Sequence, residues 1–240
     1  MLRTFNHFFV QNHESDELLQ SLGFKNIIIS GDTRFDRVAD IAAKAKSFPL
    51  VEQFCNNTTT LILGSSWKAD EEILFDFINN NQAKVIIAPH EIHDSNVERI
   101  ISRITRKTQR YSLANEDNVR EAEVLIIDNI GMLSSIYQYG QVAYIGGGFG
   151  SGIHNILEAA TFGLPVLFGP NYQKFKEAVD LIKLEGAFEV KDKVTVTKQL
   201  HKLLTDKDYL QAKSQICRKY VENQKGATVT IVNYLTNNKQ

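Results

Sequence analysis

From residue 8 to residue 184 the chain alternates short runs of apolar, β-branched residues with segments whose apolar positions recur at helical spacing. A short apolar run bounded by turn formers reads as a strand buried on both faces, and a helix between two such strands sets them parallel. Strands are expected over 8–11, 26–30, 60–63, 84–88, 123–128, 142–146 and 165–168. Helices are expected between them, over 14–21, 36–46, 71–80, 97–105, 131–137, 155–161 and 174–184. The order is that of an α/β chain with a doubly wound, Rossmann-like parallel sheet. From 195 to 237 helical patterns succeed one another with no convincing strand, so C-terminal helices are expected to cap the sheet.

One stretch breaks the rhythm. Ser30-Gly31-Asp32-Thr33-Arg34-Phe35-Asp36 is polar and turn-forming, and the next clear strand begins only near Thr60. It reads as an interdomain linker. Residues 1–30 are then the tail of a Rossmann-like domain whose beginning is missing, 31–48 a linker and first helix, and 49–240 the main domain, because one β-α-β piece is too small to fold alone.

Bulk properties exclude several classes. With 27 Lys+Arg against 28 Asp+Glu the net charge is -1, which gives no general attraction to nucleic acid. The two cysteines, Cys55 and Cys217, fall in no metal or redox spacing and read as reduced thiols of a cytoplasmic protein. No run of about 18 apolar residues is present to span a bilayer, and the N-terminus lacks the apolar core of a signal peptide. Neither a metal ion nor a cofactor is expected.

The most informative segment runs from Tyr144 to Pro170. A strand enters a loop with glycines at 146, 147, 148, 150 and 152, and a helix follows. Such a loop lets backbone N–H groups approach an anion, and a phosphate is the natural guest. The spacing is not the dinucleotide fingerprint, since no acidic residue closes a strand about 20 positions on. His154 and Asn155 stand at the helix start, with Glu158 placed on the same face, where a carboxylate can accept the two hydroxyls of a ribose. Read without a ligand, Asn155 is a cap and Glu158 a first-turn acid complementing the helix dipole. Glu158-Ala-Ala-Thr-Phe-Gly-Leu-Pro-Val166 resembles the Glu-Ala-x-x-x-Gly-x-Pro-Val signature of glycosyltransferases with two Rossmann-like domains. Three further loops follow strands at the ligand-binding edge of such a sheet: Gly64-Ser65-Ser66-Trp67, Ala88-Pro89-His90-Glu91 and Asp128-Asn129-Ile130-Gly131-Met132-Leu133.

Taken in order, Gly31-Asp-Thr-Arg-Phe-Asp-Arg-Val38, Gly64-Ser-Ser-Trp67, Asp128-Asn-Ile-Gly-Met-Leu133, Gly146-Gly-Gly, His154-Asn-Ile-Leu-Glu158 and Gly169-Pro170 resemble the 3-deoxy-D-manno-octulosonic acid (Kdo) transferases over residues 7–184. The resemblance implies the C-terminal half of a GT-B glycosyltransferase of lipopolysaccharide biosynthesis. Such an enzyme moves Kdo from CMP-Kdo to a lipid A precursor, inverting and metal-independent, at the inner face of the bacterial inner membrane. It also implies that His90, Ile130, Gly131, Asn155 and Glu158 line the CMP pocket. Glu158 would take the ribose, Asn155 and the loop amides of Gly147 and Gly148 the phosphate, and Ser65, Ser66 and His154 would join them. The general base, the acceptor site and the membrane-associating surface lie in the family's N-terminal half, so this chain is expected to bind donor without turnover.

The sequence departs from the family pattern at Pro89, where a basic residue is usual, and at Ile153 and Ala159, where glycine and proline are usual. Two other readings stand beside this one: a UDP-sugar-dependent GT-B transferase or epimerase, and a non-catalytic nucleotide-binding module.

Overall fold

The computed structural model describes residues 2–237. A β-α-β unit opens it: β1 (Phe8–Val10), α1 (His13–Ser21) and β2 (Ile27–Ile29). There follow α2 (Thr33–Ala43), α3 (Pro49–Cys55), β3 (Thr60–Ser66), α4 (Lys68–Asn80), β4 (Lys84–Pro89), α5 (Asp94–Ser102), β5 (Thr108–Arg110), α6 (Glu116–Glu121) and β6 (Val124–Ile126). The chain continues through α7 (Leu133–Ile136), β7 (Val142–Ile145), α8 (Leu157–Ala160), β8 (Val166–Phe168), α9 (Lys176–Lys183) and β9 (Ala187–Glu189) into α10 (Lys193–Thr205), α11 (Lys207–Asn223) and α12 (Ala227–Asn237).

Seven strands form one sheet in the order β5-β6-β4-β3-β7-β8-β9, every pairing parallel. The doubly wound expectation is met, and the physical reason is visible in the strands. In β3, Leu61 and Leu63 pack into one apolar layer while Ile62 packs into the other. The same alternation recurs in β4 (Val85 and Ile87 against Ile86) and in β7 (Val142 and Tyr144 against Ala143 and Ile145). Both faces are covered, so the central strands carry apolar residues on both sides. The chain leaves β3 toward β4 on one side, then crosses to β7 on the other. That reversal makes the β3/β7 boundary the topological switch point, where a crevice opens at the C-terminal ends of the strands.

Two strands and two helices escape the sequence reading. β5 and β9 are the edges of the sheet, and α3 and α6 are short. Helical structure at 155–161 shrinks to the single turn of α8, and that at 131–137 to α7 and a 3-10 turn over Tyr137–Tyr139.

The expected linker is fastened at both ends. Asp32 caps α2, its carboxylate accepting the Arg34 N–H at 2.9 Å, and Arg34 reaches Glu177 of α9 at 2.8 Å. Asp36 accepts the N–H groups of Gly226 and Thr228, both at 2.7 Å, and so holds the start of α12. At the far end of α12, Tyr234 meets His7, its hydroxyl 3.0 Å from Nδ1, and packs edge-on against Phe9. The last helix thus ties the small β1–β2 sheet to α2. Cys55 and Cys217 are buried free thiols. Among the described residues, no helix is long and apolar enough to cross a membrane.

Candidate functional site

The end of β3 shapes the site. Ser65 takes a left-handed backbone, φ 51°, and the register with β4 slips between Gly64 and Ser66. The bulge turns the strand end. Trp67 then stacks on His90, which follows β4, with ring centroids 4.2 Å apart and 23° between planes. His154, beyond the glycine loop, closes the group. Its Nε2 accepts the indole N–H of Trp67 at 3.0 Å, and its ring stacks on His90 at 4.7 Å. The ring planes of Trp67 and His154 are within 10° of parallel. Their centroids are 6.4 Å apart, and His90 stacks on both rings. Burial, then the neighbouring His90, pushes the His154 pKa below its usual value, so the ring is neutral at pH 7.

Asp70, on the first turn of α4, fixes this arrangement from below. Fully buried, it accepts the Trp67 N–H at 3.0 Å, the Tyr144 hydroxyl at 2.8 Å and the Gly147 N–H at 2.9 Å. The Gly147 amide is therefore spent inside the protein and not offered to a phosphate, a correction to the sequence reading. Gly147 also sits at φ 93°, a conformation glycine adopts without strain. Gly148 lets the loop press against the backbone of Gly169 where a Cβ would collide. The glycines serve loop packing first.

Asn155 and Glu158 stand together as expected. The Asn155 amide donates to Glu158 at 3.2 Å, while its oxygen caps the chain through the Leu157 N–H at 3.1 Å. Burial raises the Glu158 pKa above its ordinary value, opposed by the Asn155 hydrogen bond and the charge of Arg37 on α2. Tyr137, fully buried beneath the end of β3, also senses the Glu158 charge.

The other expected residues divide. Ser66 is buried, and its hydroxyl donates to Glu71 at 2.9 Å, a carboxylate also held by Arg99. It supports α4 and has no free hydroxyl for a ligand. Ile130 projects at 89% exposure. Gly131 lines a cavity of about 960 Å³ beside α2, α7 and the start of α12, together with Arg37, Lys44, Lys46 and Ser134. None of the other nine expected residues borders that cavity; Arg37, which lines it, is the charge that acts on Glu158. Three participants were not singled out from sequence: Trp67, the chain's one tryptophan, present only as part of a motif; Asp70, indistinguishable from a helix-start acid; and Arg37, on the supposed linker helix.

The fold is a doubly wound, Rossmann-like sheet of the kind found in the C-terminal domains of GT-B glycosyltransferases, with a polar-aromatic cluster at its switch point. Solved structures agree on the fold. The C-terminal CMP-Kdo binding domain of WaaA from Acinetobacter baumannii superposes with a TM-score of 0.62 at 22% identity, covering 76% of this chain and 97% of that one. The C-terminal domain of the group 1 glycosyl transferase LpcC from Francisella tularensis gives 0.53 at 11% identity, over 78% and 96%. In sequence the chain is similar to the 3-deoxy-D-manno-octulosonic acid transferases. It is 26% identical to that of Aquifex aeolicus over 89% of this chain and 58% of the relative. With that of Rickettsia prowazekii it shares 24% over 93% and 50%. The chain thus spans about half the length of the curated relatives it matches. No family model matches it.

Proposed function

We propose that this domain holds CMP-Kdo as the donor of a Kdo transferase in lipopolysaccharide biosynthesis. The observation that carries the reading is convergence: Trp67, His90 and His154, drawn from the ends of three strands, stack into one group at the switch-point crevice, and the hydrogen-bonded pair Asn155 and Glu158 follows His154 in the chain. Glu158 accepts the ribose hydroxyls, held ready by Asn155, and His90 and His154 lie toward the phosphate. On the same reading residues 1–30 are the tail of a preceding Rossmann-like domain. That domain supplies the general base, the lipid A precursor site and the contact with the inner membrane, and transfer is inverting and needs no metal or cofactor.

Calorimetric titration tests the donor. CMP is expected to bind more tightly than UMP or UDP, unchanged by a chelator. Glu158→Gln keeps the shape but loses a charged acceptor, so its CMP affinity should fall about tenfold while the variant stays folded. Preference for UDP would move the reading to a UDP-sugar enzyme. Unchanged CMP affinity in folded Glu158→Gln would leave Glu158 a helix-start residue.

A further inference from the structure

The His154 ring is constrained on three sides. Its Nε2 receives the Trp67 indole N–H at 3.0 Å. An indole N–H only donates, so Nε2 must present its lone pair, and the single proton of a neutral imidazole must sit on Nδ1. The Cδ2 edge of the ring faces Gly147, where an added Cβ would stand 3.2 Å away, and one face lies against His90. Nδ1 is therefore on the edge turned away from the glycine loop. It has no protein partner among the described residues, yet it is not a buried orphan. An N–H donor with no protein partner is thus left unenclosed, on the residue that precedes Asn155.

Trp67 is itself held. Its backbone N–H is bonded to buried Asp70 and its indole is stacked on His90. The chain from Asp70 to Trp67 to His154 is a rigid path ending in one aimed proton.

We propose that Trp67 is a positioning residue for the nucleotide donor: by donating to Nε2 it holds His154 in the Nδ1–H form, whose free N–H donates to an anionic oxygen of the bound nucleotide sugar. This rests on the donor reading above. The oxygen is either on the phosphate or on the carboxylate of the sugar acid, and titrants that carry one or both distinguish them.

The test joins a tautomer measurement to binding. Long-range nitrogen–proton NMR of the wild-type chain at pH 8 should show His154 protonated on Nδ1 alone. Trp67→Phe keeps a ring to stack on His90 but has no donor, and should show a substantial Nε2–H population. With the competent form reduced, CMP affinity should fall about three- to tenfold, while cytidine, lacking the phosphate, should bind as before. A loss seen with CMP-Kdo but not with CMP assigns the contact to the sugar carboxylate. Protonation of wild-type His154 on Nε2, or a Trp67→Phe spectrum identical to wild type, overturns the proposal. So does full affinity for both CMP and CMP-Kdo in Trp67→Phe. His154→Ala separates this from failure of the donor reading. If His154→Ala loses affinity and Trp67→Phe does not, only the positioning role falls; if neither does, the donor does not bind here.

Discussion

The seven-stranded sheet and the β1–β2 pair use the same unit, parallel strands joined by a helical crossover, but they stand at opposite ends of burial. In β3 six of seven residues are buried, and helices cover both faces. In the small pair only Val10 is buried, and α1 buries nothing. A parallel ladder is stable only when both faces are covered, because its backbone bonds add little net stability in contact with water. The large sheet supplies its own cover. The small one has a single crossover helix and borrows contact from α12 through His7, Phe9 and Tyr234. The aromatic cluster of Trp67, His90 and His154 sits at the end of the well-buried sheet.

The contrast can be broken most sharply at Asp70. Asp70→Ala leaves three donors at the heart of the large sheet without their acceptor, and should cost about 3–5 kcal/mol in denaturant unfolding. A loss under about 1 kcal/mol would mean that the site end of the sheet is not held as described. Hydrogen exchange measures the contrast directly. Amides of β1 and β2 should exchange at least about a hundredfold faster than those of β3 and β7 under native conditions, and equal protection would make residues 8–29 an integral part of the main fold. At Asp36 the expected effect is smaller. Asp36→Ala removes the cap of α12 and should cost about 1 kcal/mol, with faster exchange confined to α12 and the β1–β2 pair. If β3 and β7 also loosen, the two regions are not separable.

The smallest effect concerns Glu158. Its folded pKa is raised, so the folded state resists the charge that the unfolded chain accepts freely. No penalty exists below the ordinary value of 4.5, and the penalty grows as pH rises from there through the raised pKa. Glu158→Gln should therefore melt slightly higher than wild type at pH 7, and this advantage should vanish below about pH 4.5. A variant less stable at pH 7 would show that the Asn155 bond outweighs the burial.

The central strands were legible because each is an unbroken apolar run, and the two strands that were not legible are the two edges. Thr108-Gln109-Arg110 pairs only with β6, and Ala187-Phe188-Glu189 only with β8, so neither must be apolar on both faces. The start of α2 was hidden for another reason. Arg34 and Asp36 are polar as a linker would be, but their partners, Glu177, Gly226 and Thr228, lie more than a hundred residues away.

The sequence by itself determined the parallel α/β architecture, the place of the glycine loop after β7, and the placing of Asn155 and Glu158 on one face. All of these follow from local apolar spacing or from neighbours three residues apart. Only the tertiary structure decided what the loop amides do and how the aromatic cluster is made. Trp67 and His154 are 87 residues apart in the chain and 3.0 Å apart in space, and Gly147 meets Asp70 from 77 residues away. No periodicity encodes such contacts; they exist because strand order brings the ends of β3, β4 and β7 together, and strand order is settled by the packing of the whole sheet.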